Sequence, residues 1–174
     1  RHAGETVLWD AERMPTPTIV VDDLSSSATR DLLARHQAEM RAQTPGDSCH
    51  VLDVEALRAP SITVWAAYVD GELAGVGALK TLDAARGEVK SMRVEARFLG
   101  RGVGRALVRH ILAEARARGL QSLWLETGSG ADFTAARALY ASEGFTACAP
   151  FDDYVADPLS AYFTRRLAEG TATV

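Results

Sequence analysis

Apolar and polar positions alternate or recur along this chain in a way that divides it into strands and helices. The β-branched run within Thr16–Leu24 (Thr-Pro-Thr-Ile-Val-Val) predicts a first strand. Ser25, Ser26 and Ser27 follow, and each can cap a helix. That helix runs to about Arg41, with Leu32, Leu33, His36 and Met40 at helical spacing, and Thr44-Pro45-Gly46-Asp47 breaks it. Asp53–Leu57 reads as one short helical turn. Ile62–Val69 is rich in β-branched and aromatic residues, Asp70-Gly71 is a hairpin signal, and Leu73–Leu79 is the returning strand. A loop over Thr81–Gly87 leads to a third long strand, Glu88–Val94.

The second half repeats this contrast. After a polar, glycine-rich connection over Glu95–Gly104, the residues Val103, Leu107, Val108, Ile111, Leu112 and Ala115 form the apolar stripe of an amphipathic helix. The helix reaches about Arg118, and Gly119 closes it. Ser122–Glu126 is a strand, Gly128-Ser129-Gly130 a loop, and Phe133–Ser142 a helix ended by Gly144. Phe145–Cys148 and Ala161–Leu167 complete the strands. The order is that of a mixed α/β domain. We read residues 14–168 as that single domain, residues 1–13 as an N-terminal extension, and residues 169–174 as a tail.

Composition narrows the picture. The chain has 174 residues, 47% hydrophobic and 24% charged, which suits one ordinary globular domain rather than a disordered segment. A net charge of −4 gives no bulk attraction to nucleic acid or an anionic membrane. No apolar run approaches the ~20 residues of a membrane span. Cys49 and Cys148 are too few for a secreted disulfide framework, and cytoplasmic localisation is expected. Four scattered histidines and two distant cysteines lack metal-ligand spacing, so no metal is expected.

Candidate chemistry concentrates in Leu99-Gly100-Arg101-Gly102-Val103-Gly104-Arg105-Ala106, between a strand and a helix. Glycines let a backbone turn tightly and let a ligand approach. The unpaired amides and the positive dipole end of a helix N-terminus hold phosphate groups. The segment lacks the Gly-Lys-Ser/Thr ending of the phosphate-binding loop of nucleotide hydrolases. It also misses the third glycine of the dinucleotide fingerprint, since Arg105 or Leu107 falls there.

This segment resembles motif A of the GCN5-related N-acetyltransferase (GNAT) superfamily, Gln/Arg-x-x-Gly-x-Gly/Ala, with Gly102 and Gly104 as its glycines and Leu99 replacing the first residue. Leu139-Tyr140-Ala141-Ser142-Glu143-Gly144-Phe145 is similar to the family's Leu-Tyr-x-x-x-Gly-Phe segment, while Phe133 stands where many members carry Asn. The segments 88–94, 125–128 and 150–160 look like a branch of small bacterial-type acetyltransferases. The resemblance implies a mostly antiparallel, twisted sheet of about six to seven strands flanked by about four helices. It implies acetyl-CoA as cosubstrate, with direct acetyl transfer to the primary amine of a small molecule or peptide in a ternary complex. A non-catalytic acyl-CoA-binding module on the same fold is the alternative, and homodimers are frequent in the family.

Carried onto this sequence, the resemblance places pantetheine in a gap beside Met92, Arg93 and Val94, and pyrophosphate on the segment from Leu99 through Gly100, Arg101, Gly102, Val103, Gly104 and Arg105 to Ala106. Tyr140 matches the family tyrosine and is the expected acid toward the departing sulfur. Glu88, fourteen residues before Gly102, has the spacing of the catalytic glutamate in the histone-modifying branch and is the expected base. Glu126 and His50 are expected on the acceptor side, for a small amine or amino-acid derivative. His36 is read as a helix-packing residue, His110 as a helix-surface residue, and Cys148 as a strand cysteine.

Overall fold

A computed structural model of the protein describes residues 15–168. The expected extension and tail lie outside the described residues. Seven strands form one sheet: β1 (Thr18–Asp22), β2 (Ile62–Val69), β3 (Glu72–Thr81), β4 (Arg86–Val94), β5 (Ser122–Gly128), β6 (Thr146–Ala147) and β7 (Ser160–Arg166). Their spatial order is β1-β2-β3-β4-β5-β7-β6, and every pairing is antiparallel except β4 with β5. Three α-helices join them: α1 (Ser27–Gln43), α2 (Val103–Ala117) and α3 (Thr134–Ser142). Between α1 and β2, where one short helical turn is expected at Asp53–Leu57, the chain makes three-residue 3₁₀ turns at Gly46–Ser48 and Ala56–Arg58, so the helices number three rather than about four among the described residues. Pro45 and Gly46 keep α1 from continuing into this stretch.

The sheet buries both faces, so its strands read as continuous apolar runs rather than strict alternation. On β2, Val64 and Ala66 face α1 and join Leu24, Leu32, Leu33, Leu57 and Val76. Trp65 and Ala67 face the other way and join the stripe of α2, with Leu107 and Ile111 fully buried. Truncating either side chain to Ala would cost about 2–5 kcal/mol. Some sequence-based expectations shift here. His110 is half-buried, not on the surface, because its ring meets Trp65 edge-on at 5.3 Å. The strand expected over Phe145–Cys148 contracts to Thr146–Ala147 because the Phe145 amide donates to the Tyr140 carbonyl at the end of α3. Cys148 lies just past β6 and is half-buried.

One feature of this topology makes the site. The parallel β4–β5 pairing covers only Arg86–Glu88 against Ser122–Trp124, and then the strands part. Two irregularities bend β4 away. The β3–β4 register shifts between Val76 and Ala78, and Ser91 takes a left-handed φ of 54°. A sheet interior thereby opens into a V whose walls are strand backbone.

Candidate active site

The V is the narrow waist of a cleft of about 940 Å³ that reaches both faces of the sheet. Among the expected site residues, Glu88, Met92, Arg93, Val94, Tyr140, His50 and Glu126 line it, together with Leu99, Gly100 and Gly102 through Arg105. Arg101 and Ala106 do not. The Arg101 guanidinium lies over the Phe98 ring at 5.5 Å.

The end of the cleft at α2 is built from backbone. Gly102 precedes the helix with φ +79°, a turn that a side chain would strain. A Cβ on Gly104 would stand 3.2 Å from Leu139 and 3.6 Å from Val94, so glycine lets α2 and α3 close on β4. The amides of Gly100, Gly102, Val103, Gly104 and Arg105 find no backbone acceptor among the described residues. Those of Leu99, Arg101 and Ala106, expected in the same set, are committed to Ala96, Phe98 and Gly102 carbonyls. Five free amides at a helix N-terminus make an anion cradle. Along the V, the Glu95 amide donates to the Ala74 carbonyl. Backbone groups alternate along an antiparallel strand, so Val94 and Met92 turn theirs to the open side. Arg105 and Arg109 both bond the buried carboxylate of Glu143, which ties the start of α2 to the end of α3.

Tyr140 on α3 packs edge-on against Phe145 at 5.8 Å, on the α2 side of the sheet. Burial, with the negative charge of nearby Glu126, pushes its phenol well above the usual range, so it stays protonated at neutral pH. Phe133 covers Gly128 so closely that its ring leaves no room for a Cβ there.

The opposite end is built from side chains. Glu88 is 2% exposed, and its Oε1 accepts from Lys90 Nζ at 3.0 Å and from the Tyr154 hydroxyl at 2.5 Å. The Tyr154 hydroxyl lies 3.0 Å from Lys90 Nζ, which closes a three-membered cluster. The His50 ring meets Tyr154 edge-on at 4.9 Å. Burial raises the Glu126 carboxyl above its ordinary range, offset in part by the neighbouring Ser160 hydroxyl, His50 and Lys90. His36 packs under α1 as expected and also lines the cleft. Burial, then the charge of Arg93, lowers its pKa to about 4, and its Nδ1 has no partner among the described residues. Lys90 and Tyr154 escaped the sequence reading. Their signals were Lys90 two residues from Glu88 on one strand face, and Tyr154 inside the 150–160 segment already singled out.

The acetyltransferase (GNAT) family matches residues 22–145 of this chain. The chain belongs to that family. It is 47% identical over 149 residues to the uncharacterized N-acetyltransferase YsnE of Bacillus subtilis, covering 86% of this chain and 99% of that one. It is 47% identical over 152 residues to the uncharacterized N-acetyltransferase YedL of Escherichia coli, covering 87% and 96%. A crystal structure from Klebsiella pneumoniae, provisionally described as an acyl-CoA N-acyltransferase, superposes with a TM-score of 0.72 at 26% identity over 88% of this chain and 99% of that one. A family acetyltransferase from Elizabethkingia anophelis with acetyl-CoA bound shares the fold, with a TM-score of 0.63 at 18% identity over 87% and 98%. The protein is thus an N-acetyltransferase that uses acetyl-CoA, and the cradle, the opened strand edge and the cleft volume fit that donor. Among the described residues, no helix is long and apolar enough to cross a membrane, and no cluster of three or more His, Cys, Asp or Glu could hold a metal ion.

Proposed function

We propose that this acetyltransferase moves the acetyl group of acetyl-CoA onto the primary amine of a small, amino-acid-like acceptor, with Glu126 as base and Tyr140 as acid. The observation that carries this reading is the placement of the two groups on either side of the β4–β5 opening. The five free amides at the start of α2 hold the pyrophosphate, and Met92 and Val94 pair with the pantetheine. That leaves the thioester in the V, between the two faces. An ammonium attacks only after losing its proton. Among the described residues no cation is hydrogen-bonded to Glu126, and its raised pKa suits it to take that proton. Glu88, expected as the base from its spacing, is committed to Lys90 and Tyr154 and holds the acceptor wall in place. The new C–N bond forms as the C–S bond breaks, and the Tyr140 phenol gives its proton to the leaving sulfur.

The relatives support a small acceptor. The chain is 36% identical over 156 residues to an IAA acetyltransferase of Azospirillum brasilense, covering 88% of this chain and all of that one. It is 30% identical over 112 residues to the human N-acetylaspartate synthetase, which is 64% of this chain but 36% of that one. The free cysteines suit a cytoplasmic reaction. The test is amine-dependent release of the CoA thiol from acetyl-CoA at neutral pH, with mass spectrometry of the product. Acetylated amine in step with thiol release supports the reading. Release at the same rate without amine, or none with any amine, contradicts it.

A further inference from the structure

Lys90 has a donor to spare. Its ammonium carries three N–H groups, and the described residues give it two acceptors, Glu88 Oε1 and the Tyr154 hydroxyl. The side chain is 10% exposed, and that exposure is into the cleft. Burying an ion pair in a wall costs more than burying apolar residues of the same size, so neutralising Glu88 is a poor reason by itself for a lysine here.

Register places this donor. Glu88 pairs with Trp124 in the parallel ladder, and side chains two residues on return to the same face. Lys90 and Glu126 therefore face one another at the point where the strands begin to part, on the face away from α2. His50 and Glu88 lie close enough for their charges to act on Glu126 together with that of Lys90. Resting on the proposed role of Glu126 as base, we propose that Lys90 binds the carboxylate of the acceptor, so that the acceptor is an α-amino acid held at both ends of one short unit. The amine and carboxylate of an α-amino acid share a carbon, which matches a cation and a base set opposite each other across a narrow opening.

The surroundings of Lys90 favour this class over others. A phosphate-bearing acceptor would bring a second negative charge between Glu88 and Glu126. A diamine would bring its distal cation against Lys90. A plain alkylamine would give the third N–H of Lys90 no acceptor.

Matched pairs of acceptors test this: phenylalanine with phenethylamine, leucine with isoamylamine, lysine with cadaverine. A charge-assisted bond to one carboxylate predicts kcat/KM about ten- to a hundredfold higher for the acid of each pair that is turned over. In Lys90→Met the preference falls to within about threefold, and in Lys90→Arg it is retained. Thermal stabilisation by acetyl-CoA reports that each variant is folded with its donor site intact. Equal kcat/KM for acid and amine in the wild type, or turnover of the amines alone, overturns the carboxylate assignment and leaves the acetyltransferase reading standing. This wild-type comparison decides the matter even where a Lys90 variant fails to fold. Thiol release with no member of the panel removes both readings.

Discussion

The two ends of the cleft are made of different material. At the donor end the chain supplies main-chain amides, five of them at one helix start, held by two tight glycine positions. At the proposed acceptor end it supplies side chains from β4, β5, the loop before β2 and the loop between β6 and β7: Glu88, Lys90, Glu126, His50 and Tyr154. A backbone site reads what every acyl-CoA shares and tolerates side-chain change, provided that the turn survives. A side-chain site reads one acceptor and changes with any of its contributors. On the proposed function, the same sheet opening serves a fixed donor and an adjustable acceptor.

Substitutions that act on one end and spare the other sharpen this contrast. The largest effect is expected at Glu126→Gln, with turnover down about 10²–10⁴-fold and acetyl-CoA affinity kept. A base must be ionised to work, so activity in the wild type falls as pH drops through the raised pKa of Glu126. This acid limb is absent in Glu126→Gln and present in Glu88→Gln, and a pH–rate series over the three proteins checks it.

Next in size is a pH effect on stability from His36. Its pKa is lowered to about 4 in the folded protein from the ordinary 6.5. The unfolded chain therefore takes up the proton first as pH falls. Stability is full above about 6.5 and declines toward 4, by on the order of 3 kcal/mol for this group. Denaturant unfolding at several pH values should show the decline in the wild type and its loss in His36→Phe.

Tyr140→Phe should lower turnover about 10–10²-fold with little change in the KM for acetyl-CoA, since only the proton for the sulfur is lost. Unchanged turnover removes Tyr140 from the chemistry. The smallest effect, and the one confined to the donor end, is Gly102→Ala. No atom lies within 4 Å of the added Cβ, so the cost is the left-handed backbone alone, about 1–2 kcal/mol. The KM for acetyl-CoA should rise about tenfold, with the KM for the acceptor unchanged.

The difference between the ends also explains what could be read in the sequence. Strand Ile62–Val69 stood out by its β-branched and aromatic run and α2 by its apolar stripe, because both local patterns report burial directly. The donor end was legible from its glycines, Gly102 carrying a local conformational demand and Gly104 a close approach. Only hydrogen bonding in three dimensions showed which amides of that segment were free. The acceptor end has no local signature. Tyr154 meets Glu88 across sixty-six positions, and a lysine two residues from a glutamate looks like any exposed strand pair until the sheet covers it. Glu88 was singled out from spacing, but spacing does not reveal that its carboxylate is already held.

The most direct test of the division is calorimetric titration of acetyl-CoA into the wild type, Gly102→Ala and Glu126→Gln. The account predicts affinity about tenfold weaker in Gly102→Ala and within about twofold of wild type in Glu126→Gln. Wild-type affinity in Gly102→Ala together with a loss in Glu126→Gln would contradict it, because acetyl-CoA would then be held by the side chains assigned here to the acceptor.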